Sequence, residues 1–236
     1  MKLNEKIINK KLNIIVSSTK NNNKIASIIL KNKKQERKMN NLLTFKVEIE
    51  GLENKIWRKI EIPERRTLAD LAYTILATFD SFAYHLFKIK YKGHEFGSGF
   101  HPENFDNEFS SAKAIDFKLR DLRIKENDTM EMKYDFGSTT TFKITYLGSK
   151  ELSIYDEYLY PLIIDGSGHG MLDDISSYEL QEIIEDIDKK GYSVHSVTPG
   201  YGKDEIYDYR DFDIDANNEK LKGKILQIKN NYEVED

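Results

Sequence analysis

The sequence predicts an α+β fold: a mixed or antiparallel sheet with a β-grasp-like N-terminal hairpin-helix-strand unit, plus a second amphipathic helix. Three observations predict it. Short segments alternate apolar and polar residues and stop at Gly, Pro or polar clusters, as half-buried strands do. Two segments with helical spacing each open on a capping box, Thr67 with Asp70 and Ser176 with Glu179. A chain of 236 residues with 39% hydrophobic and 11% aromatic side chains carries enough apolar material for a core.

Leu43, Phe45, Val47 and Ile49 alternate up to a turn at Glu50-Gly51, and Ile56, Ile60 and Ile62 continue on a second strand that stops at Pro63, with Trp57 on its other side. The pair reads as a hairpin. After the first capping box, Leu68, Leu71, Ala72, Ile75, Leu76 and Phe79 follow at helical spacing. Phe87, Ile89 and Tyr91 form a third strand. A polar turn at Glu126–Asp128 precedes a strand whose Met130, Met132, Tyr134 and Phe136 share a face, and Phe142, Ile144 and Tyr146 share a face on the next. A short strand runs into the glycine-rich loop Asp165–Gly170. The second capping box opens a helix with Leu180, Ile183, Ile184 and Ile187, closed by Lys189-Lys190-Gly191. Residues 192–221 are Tyr- and Asp-rich and end in a short segment, RDFDIDANNEKLKG.

Charge divides the chain into parts. Residues 1–40 hold 11 Lys/Arg and 2 Asp/Glu, residues 41–150 hold 17 of each, and residues 151–221 hold 5 basic and 18 acidic side chains. The expected organisation is a basic Lys/Asn-rich arm (1–40), a domain (41–221) with a neutral and an acidic part, and a C-terminal tail (222–236). With no cysteine, disulfides, thiol nucleophiles and Cys-based metal sites are excluded. The apolar runs are too short for a membrane span or a signal h-region, so the expectation is a cytoplasmic protein without a membrane partner.

The tripeptide Asp135-Phe136-Gly137 invites comparison with the metal-binding tripeptide of protein kinases. A kinase also needs a glycine-rich phosphate loop, a strand lysine and a His-Arg-Asp catalytic loop, and none is in this sequence. The stretch KYDFGSTTTFKI therefore reads as two strands joined by a turn, with Asp135 directed away from the Met/Tyr/Phe face.

Several pieces, taken in order, resemble the plasmid pRiA4b ORF-3-like family over about residues 42–221. They are WRKIEIP (57–63) with Trp57 and Arg58, Thr67-Leu68, His85-Leu86, Tyr134-Asp135-Phe136-Gly137, the Pro161…Gly166…Gly168 loop with Asp173-Asp174 and Tyr178, and the late Phe212, Asp213, Asn217 and Leu221. The resemblance implies an α+β protein of mobile elements and carries no assigned activity. The family's strand motif continues with Asp, Trp and His where this chain has Ser138, Thr140 and Phe142. Its cysteine-containing loop and acidic-glycine run are replaced by Ser167–Leu172 and Asp173–Ser177. A family site built on those positions is expected to be lost in this divergent member.

No catalytic residue, metal ligand or cofactor is assigned from the sequence. His94, Glu95, His101 and Glu103 are donors suited to zinc or iron, but they have loop spacing and read as ordinary polar contacts. The loop Asp165–Gly170 lacks the Lys-Ser/Thr ending of a phosphate loop and reads as a connector. Ser167, His169 and Asp173 or Asp174 do not form a nucleophile elbow.

The strongest functional lead is the acidic stretch. Glu179, Glu182, Glu185 and Asp186 line the outside of the second helix, and Asp204, Glu205, Tyr207, Asp208, Tyr209 and Asp211 follow. Such a field repels nucleic acid and attracts the basic grooves of proteins that bind it. The expected function is a non-enzymatic mobile-element protein that inhibits a host nucleic-acid enzyme or defence nuclease, in the manner of an anti-CRISPR. One alternative is a nucleic-acid-binding accessory protein using Lys31, Lys33, Lys34, Arg37 and Lys38 of the arm. The other is a divergent enzyme with a site among His85, Asp135, His169 and the Asp173-Asp174 pair, which requires those groups to cluster.

Overall fold

A computed structural model describes residues 39–98, 112–196 and 206–233. The arm residues Lys31, Lys33, Lys34, Arg37 and Lys38, together with His101, Glu103, Asp204 and Glu205, lie outside the described residues.

One mixed sheet organises the chain. Its strands are β1 (Met39–Ile49), β2 (Trp57–Pro63), β3 (Phe87–Tyr91), β4 (His94–Gly97), β5 (Ala112–Lys113), β6 (Thr129–Tyr134), β7 (Thr140–Ser153) and β8 (Leu162–Ser167). They lie in the order β5-β4-β3-β6-β7-β1-β2-β8. All neighbours are antiparallel except β4 and β5. The hairpin-helix-strand succession exists along the chain, but in the sheet β6 and β7 separate β3 from β1.

Helix α1 (Leu68–Thr78) has the expected capping box: Thr67 Oγ1 accepts from Asp70 N at 3.0 Å, and Thr67 N donates to Asp70 Oδ2 at 2.9 Å. Every residue of α1 is buried, which follows from its position between the sheet and a further helix. Helix α2 (Ser177–Lys190) is capped by Ser176 and Glu179 and ends at Gly191 with φ of 78°, a conformation that glycine adopts without Cβ strain. Its buried Leu180, Ile184 and Ile187 join the core, and an ion pair between Asp188 and Lys55 ties it to the β1–β2 turn.

The third helix corrects the expected C-terminal boundary. Residues 222–233 are not a tail: α3 runs from Ile214 to Glu233 and packs on α1 and β8. Asp213 Oδ1 accepts from Ala216 N at 2.9 Å, an N-terminal cap. Leu221 and Ile228 are buried, and the Tyr232 ring stacks on Tyr73 at 5.4 Å and meets Phe87 edge-on at 5.3 Å. Asn218 closes the exposed edge of β8, since its amide both accepts from Ile163 N and donates to Ile163 O at 2.8 Å. Asn217, Asn218 and Gly223 depress helix propensity, so the fixed contacts of this helix come from tertiary packing.

The single tryptophan is not the residue that organises the hairpin. Its neighbour Arg58 is fully buried. Arg58 donates from Nε to Thr78 O (2.9 Å), from Nη1 to Trp57 O (2.9 Å) and Ser167 O (2.7 Å), and from Nη2 to His169 O (2.5 Å). Its guanidinium lies 4.9 Å from the Phe79 ring and 3.9 Å from the Phe212 ring. Burial pushes the guanidinium down to about 10, so it remains charged at neutral pH. Trp57 is half-buried beneath Lys46 Nζ, 5.2 Å from the ring centroid.

Candidate functional site

The glycine-rich loop belongs to the Arg58 brace. A Cβ on Gly168 would stand 2.5 Å from Lys55 O, and one on Gly170 would stand 2.5 Å from Phe79 O. These glycines allow the loop to press against two backbone segments, while its carbonyls at Ser167 and His169 face Arg58. His169 sits beside the Tyr207 ring at 5.5 Å, with Nδ1 3.2 Å from Asp211 O. The sequence predicts a flexible connector; the structure instead packs the loop against Arg58 and two backbone segments.

Three other segments converge on a titratable cluster. The first is the turn after α1, which carries Ser81, Tyr84 and His85. The second is the end of β6, where the period-two rule breaks. Asp135 has φ of 54°, so after buried Tyr134 the backbone turns Asp135 inward and leaves Phe136 46% exposed. This reverses the expected orientation of both residues. Asp135 N donates to Leu86 O at 3.1 Å, and Asp135 Oδ1 accepts from Gly137 N at 3.0 Å, which closes the turn. The third segment is the loop before α2, with Asp173 and Asp174.

Asp173 and Asp174 have different roles. Asp173 fastens the loops together: Oδ1 accepts from Ser81 Oγ (2.8 Å) and Tyr134 Oη (2.9 Å), and Oδ2 accepts from Phe82 N (2.8 Å). Burial, then the Asp173 charge, raises the Tyr134 phenol well above its ordinary value, so it stays a donor. Asp174 instead faces outward and meets His85, Nε2 to Oδ1 at 2.8 Å, and accepts from Tyr84 Oη at 2.5 Å. Those two contacts, with Tyr84 first, hold its carboxyl below the usual range. His85 Nε2 also lies 3.7 Å from Asp135 Oδ2.

One donor atom each from His85, Asp135 and Asp174 therefore lies within 4.8 Å of the other two. One imidazole and two carboxylates are a donor set for a divalent ion such as zinc, iron(II) or manganese. The imidazole is flanked by the Tyr84 ring at 4.3 Å and the Tyr134 ring at 5.8 Å, and the Tyr232 hydroxyl donates to the backbone carbonyl of His85. Asp135 is buried, while the Asp174 side chain is 65% exposed, so the cluster opens to solvent on the Asp174 side. Phe82 (52% exposed), Tyr84 (54%) and Phe136 stand on its supporting loops, with the Phe82 and Tyr84 rings stacked at 6.3 Å.

Of the motif residues, His85, Tyr134, Asp135, Asp173 and Asp174 come together here, with Gly137 completing the Asp135 turn. Trp57, Arg58 and His169 belong to the brace. Phe142, at one of the changed signature positions, is a core residue against Phe79. The outward Asp174–His85–Asp135 geometry is not legible in the sequence, because it depends on the left-handed backbone of Asp135. The tripeptide Asp-Phe-Gly was the available signal, since Asp before a Phe-Gly turn tolerates that conformation.

The acidic stretch is only partly a free face. Glu182 and Glu185 on α2 are exposed, with Glu182 beside the Tyr178 hydroxyl and Glu185 within reach of Gln181 (3.3 Å) and Lys189 (3.9 Å); Glu179 caps Ser176, Asp186 pairs with Lys190 at 2.8 Å and His195 at 3.1 Å, and Asp208 pairs with Arg210 at 2.6 Å. Tyr207 is corrected as a contact residue: it is fully buried, its hydroxyl donating to Gly170 O at 2.9 Å. Tyr209 is half-buried, with its hydroxyl on Asp188 at 2.5 Å. Asp211 is exposed. Among the described residues no helix is long and apolar enough to cross a membrane.

A crystal structure of a protein of unknown function, MM3350 from Methanosarcina mazei Go1, has the same fold: TM-score 0.59 and 22% identity, covering 75% of this chain and 96% of that one. No curated protein matches the chain. The sequence pattern of the plasmid pRiA4b ORF-3-like proteins matches residues 41–216, a span running from β1 into α3 and including every residue of the cluster. The chain belongs to the plasmid pRiA4b ORF-3-like protein family.

Proposed function

We propose that the chain is a metal-binding protein whose working centre is His85, Asp135 and Asp174, holding one divalent ion with positions left open to solvent. The observation that carries this reading is the convergence of three donors from three separate segments to within 4.8 Å, each segment held by its own contacts. Three protein ligands with an open side is the pattern of sites where an ion polarises a bound oxygen or lowers the pKa of a bound water. The exposed rings of Phe82, Tyr84 and Phe136 would supply apolar contact to whatever approaches that ion.

Calorimetric titration with Zn2+, Mn2+ and Co2+ tests the reading. One equivalent should bind, and His85→Ala, Asp135→Asn and Asp174→Asn should each lower affinity by about 10-fold or more. Binding weaker than about 1 mM for all three ions, or affinities unchanged in the variants, would reject it.

A second reading, an inhibitor that docks on a basic groove of a nucleic-acid enzyme, has its own support. Glu182 and Glu185 are exposed on α2, and Tyr178 and Tyr192, before and after them in the chain, are 69% and 60% exposed. Affinity capture from the native host should then recover a stoichiometric nucleic-acid enzyme that is lost from the Glu182→Lys, Glu185→Lys double variant. An enzyme retained by that variant would remove the acidic face from the account.

A further inference from the structure

A second site lies away from the cluster, between α1, α3 and the segment before β8. A cavity of about 360 Å³ opens there, lined by Arg66, Asp70, Lys222 and Lys229 and by Tyr158 and Tyr160. We propose that it binds a small organic phosphomonoester with a flat apolar body.

Charge points to the phosphate. Three cationic side chains and one carboxylate line the cavity, an excess of positive charge that favours an anionic group. Lys222 Nζ donates to Tyr158 O at 2.7 Å, so its ammonium is fixed beside the aromatic wall. Lys229 Nζ lies 3.4 Å from Asp70 Oδ1 and 3.4 Å from Glu233 Oε2, which does not line the cavity. Arg66 Nε is buried without a hydrogen-bond partner. That nitrogen is closed off from the cavity, so Arg66 acts on a ligand there through its positive charge.

Shape points to the body. Ile62, Pro161 and Ile225 continue the wall beyond the two tyrosines, so the cationic groups share the cavity with an apolar surface broad enough for a ring. The volume falls in the range of small-molecule sites. Two of the three cations, Lys222 and Lys229, come from the part of α3 that extends beyond the family match.

Calorimetry in EDTA, which removes any contribution from bound metal, tests the proposal with phenyl phosphate as probe and inorganic phosphate as reference. Phenyl phosphate should bind one to one, about 10-fold more tightly than inorganic phosphate, and more weakly as salt is raised. Arg66→Gln and Lys222→Gln should each weaken it by about 10-fold. The Lys222 position is an exposed helix site, so that variant remains informative if Arg66→Gln fails to fold. No saturable binding by about 10 mM, equal affinity for inorganic phosphate, or unchanged affinity in folded variants would each overturn the proposal.

Discussion

Replacing Arg58 by Met removes a fully buried cation that donates to four backbone carbonyls on three separate segments, β2, the end of α1 and the glycine loop. Hydrogen bonds from a charged donor contribute about 1.5–3 kcal/mol each, so the gross loss is roughly 6–12 kcal/mol. Against that, the variant no longer desolvates a guanidinium, which returns several kcal/mol. That desolvation is the main cause of the depressed Arg58 pKa. The net expectation is about 3–5 kcal/mol of destabilisation, comparable with breaking a buried ion pair. Such a loss is a large part of the stability of a typical domain, about 5–15 kcal/mol. Urea unfolding followed by Trp57 fluorescence measures it directly, because the reporter adjoins the substitution. Arg58→Lys should fall between the two, since one ammonium cannot reach all four diverging carbonyls. A cost below about 1 kcal/mol for Arg58→Met would show that the carbonyls find other partners, and the brace argument would fail.

Three further outcomes are expected. Gly168→Ala should cost about 2–4 kcal/mol, because φ is 78° and its Cβ would meet Lys55 O at 2.5 Å. Gly191→Ala, with the same φ but open space around it, should cost only about 1–2 kcal/mol in the same unfolding assay. Tyr232→Ala should lower stability by about 2–4 kcal/mol and release the His85 carbonyl, read as a lower thermal midpoint and changed His85 imidazole resonances.

The pH dependence follows from depressed carboxyl pKa values. Tyr84 and His85 lower Asp174, Lys190 and His195 lower Asp186, Lys55 and Tyr209 lower Asp188, and Lys92 and Tyr91 lower Asp128 strongly. A depressed folded-state pKa contributes stability above the unfolded value, about 3.9 for Asp, and that contribution is lost as pH falls through the folded value. Thermal midpoints should therefore change little from these groups between about pH 5 and 7 and fall below about pH 4. A loss beginning near about pH 6 would implicate histidines instead.

How much was legible in the sequence depended on whether the signal was local. Both capping boxes were, because Thr67–Asp70 and Ser176–Glu179 close their bonds within four residues. Strand parity placed Phe45, Ile89 and Met132 in the core. Parity failed at Phe136 because one left-handed residue, Asp135, reverses the alternation. Helix α3 was hidden by its asparagines and glycine, although Leu221, Ile225, Ile228 and Tyr232 recur at spacings of four, three and four. The acidic stretch could be counted but not partnered, since Lys55 reaches Asp188 from 133 residues away. The cluster had the same difficulty, because His85 and Asp174 are 89 residues apart.

His85, Asp135 and Asp174 are the proposed ligands of one divalent ion. Crystals grown with Co2+ and measured at its absorption edge test that most directly. The expected result is one anomalous peak within about 2.0–2.2 Å of a His85 ring nitrogen and of one carboxylate oxygen each from Asp135 and Asp174. An ion held elsewhere, or no peak at this cluster when Co2+ saturates the protein, would contradict the account.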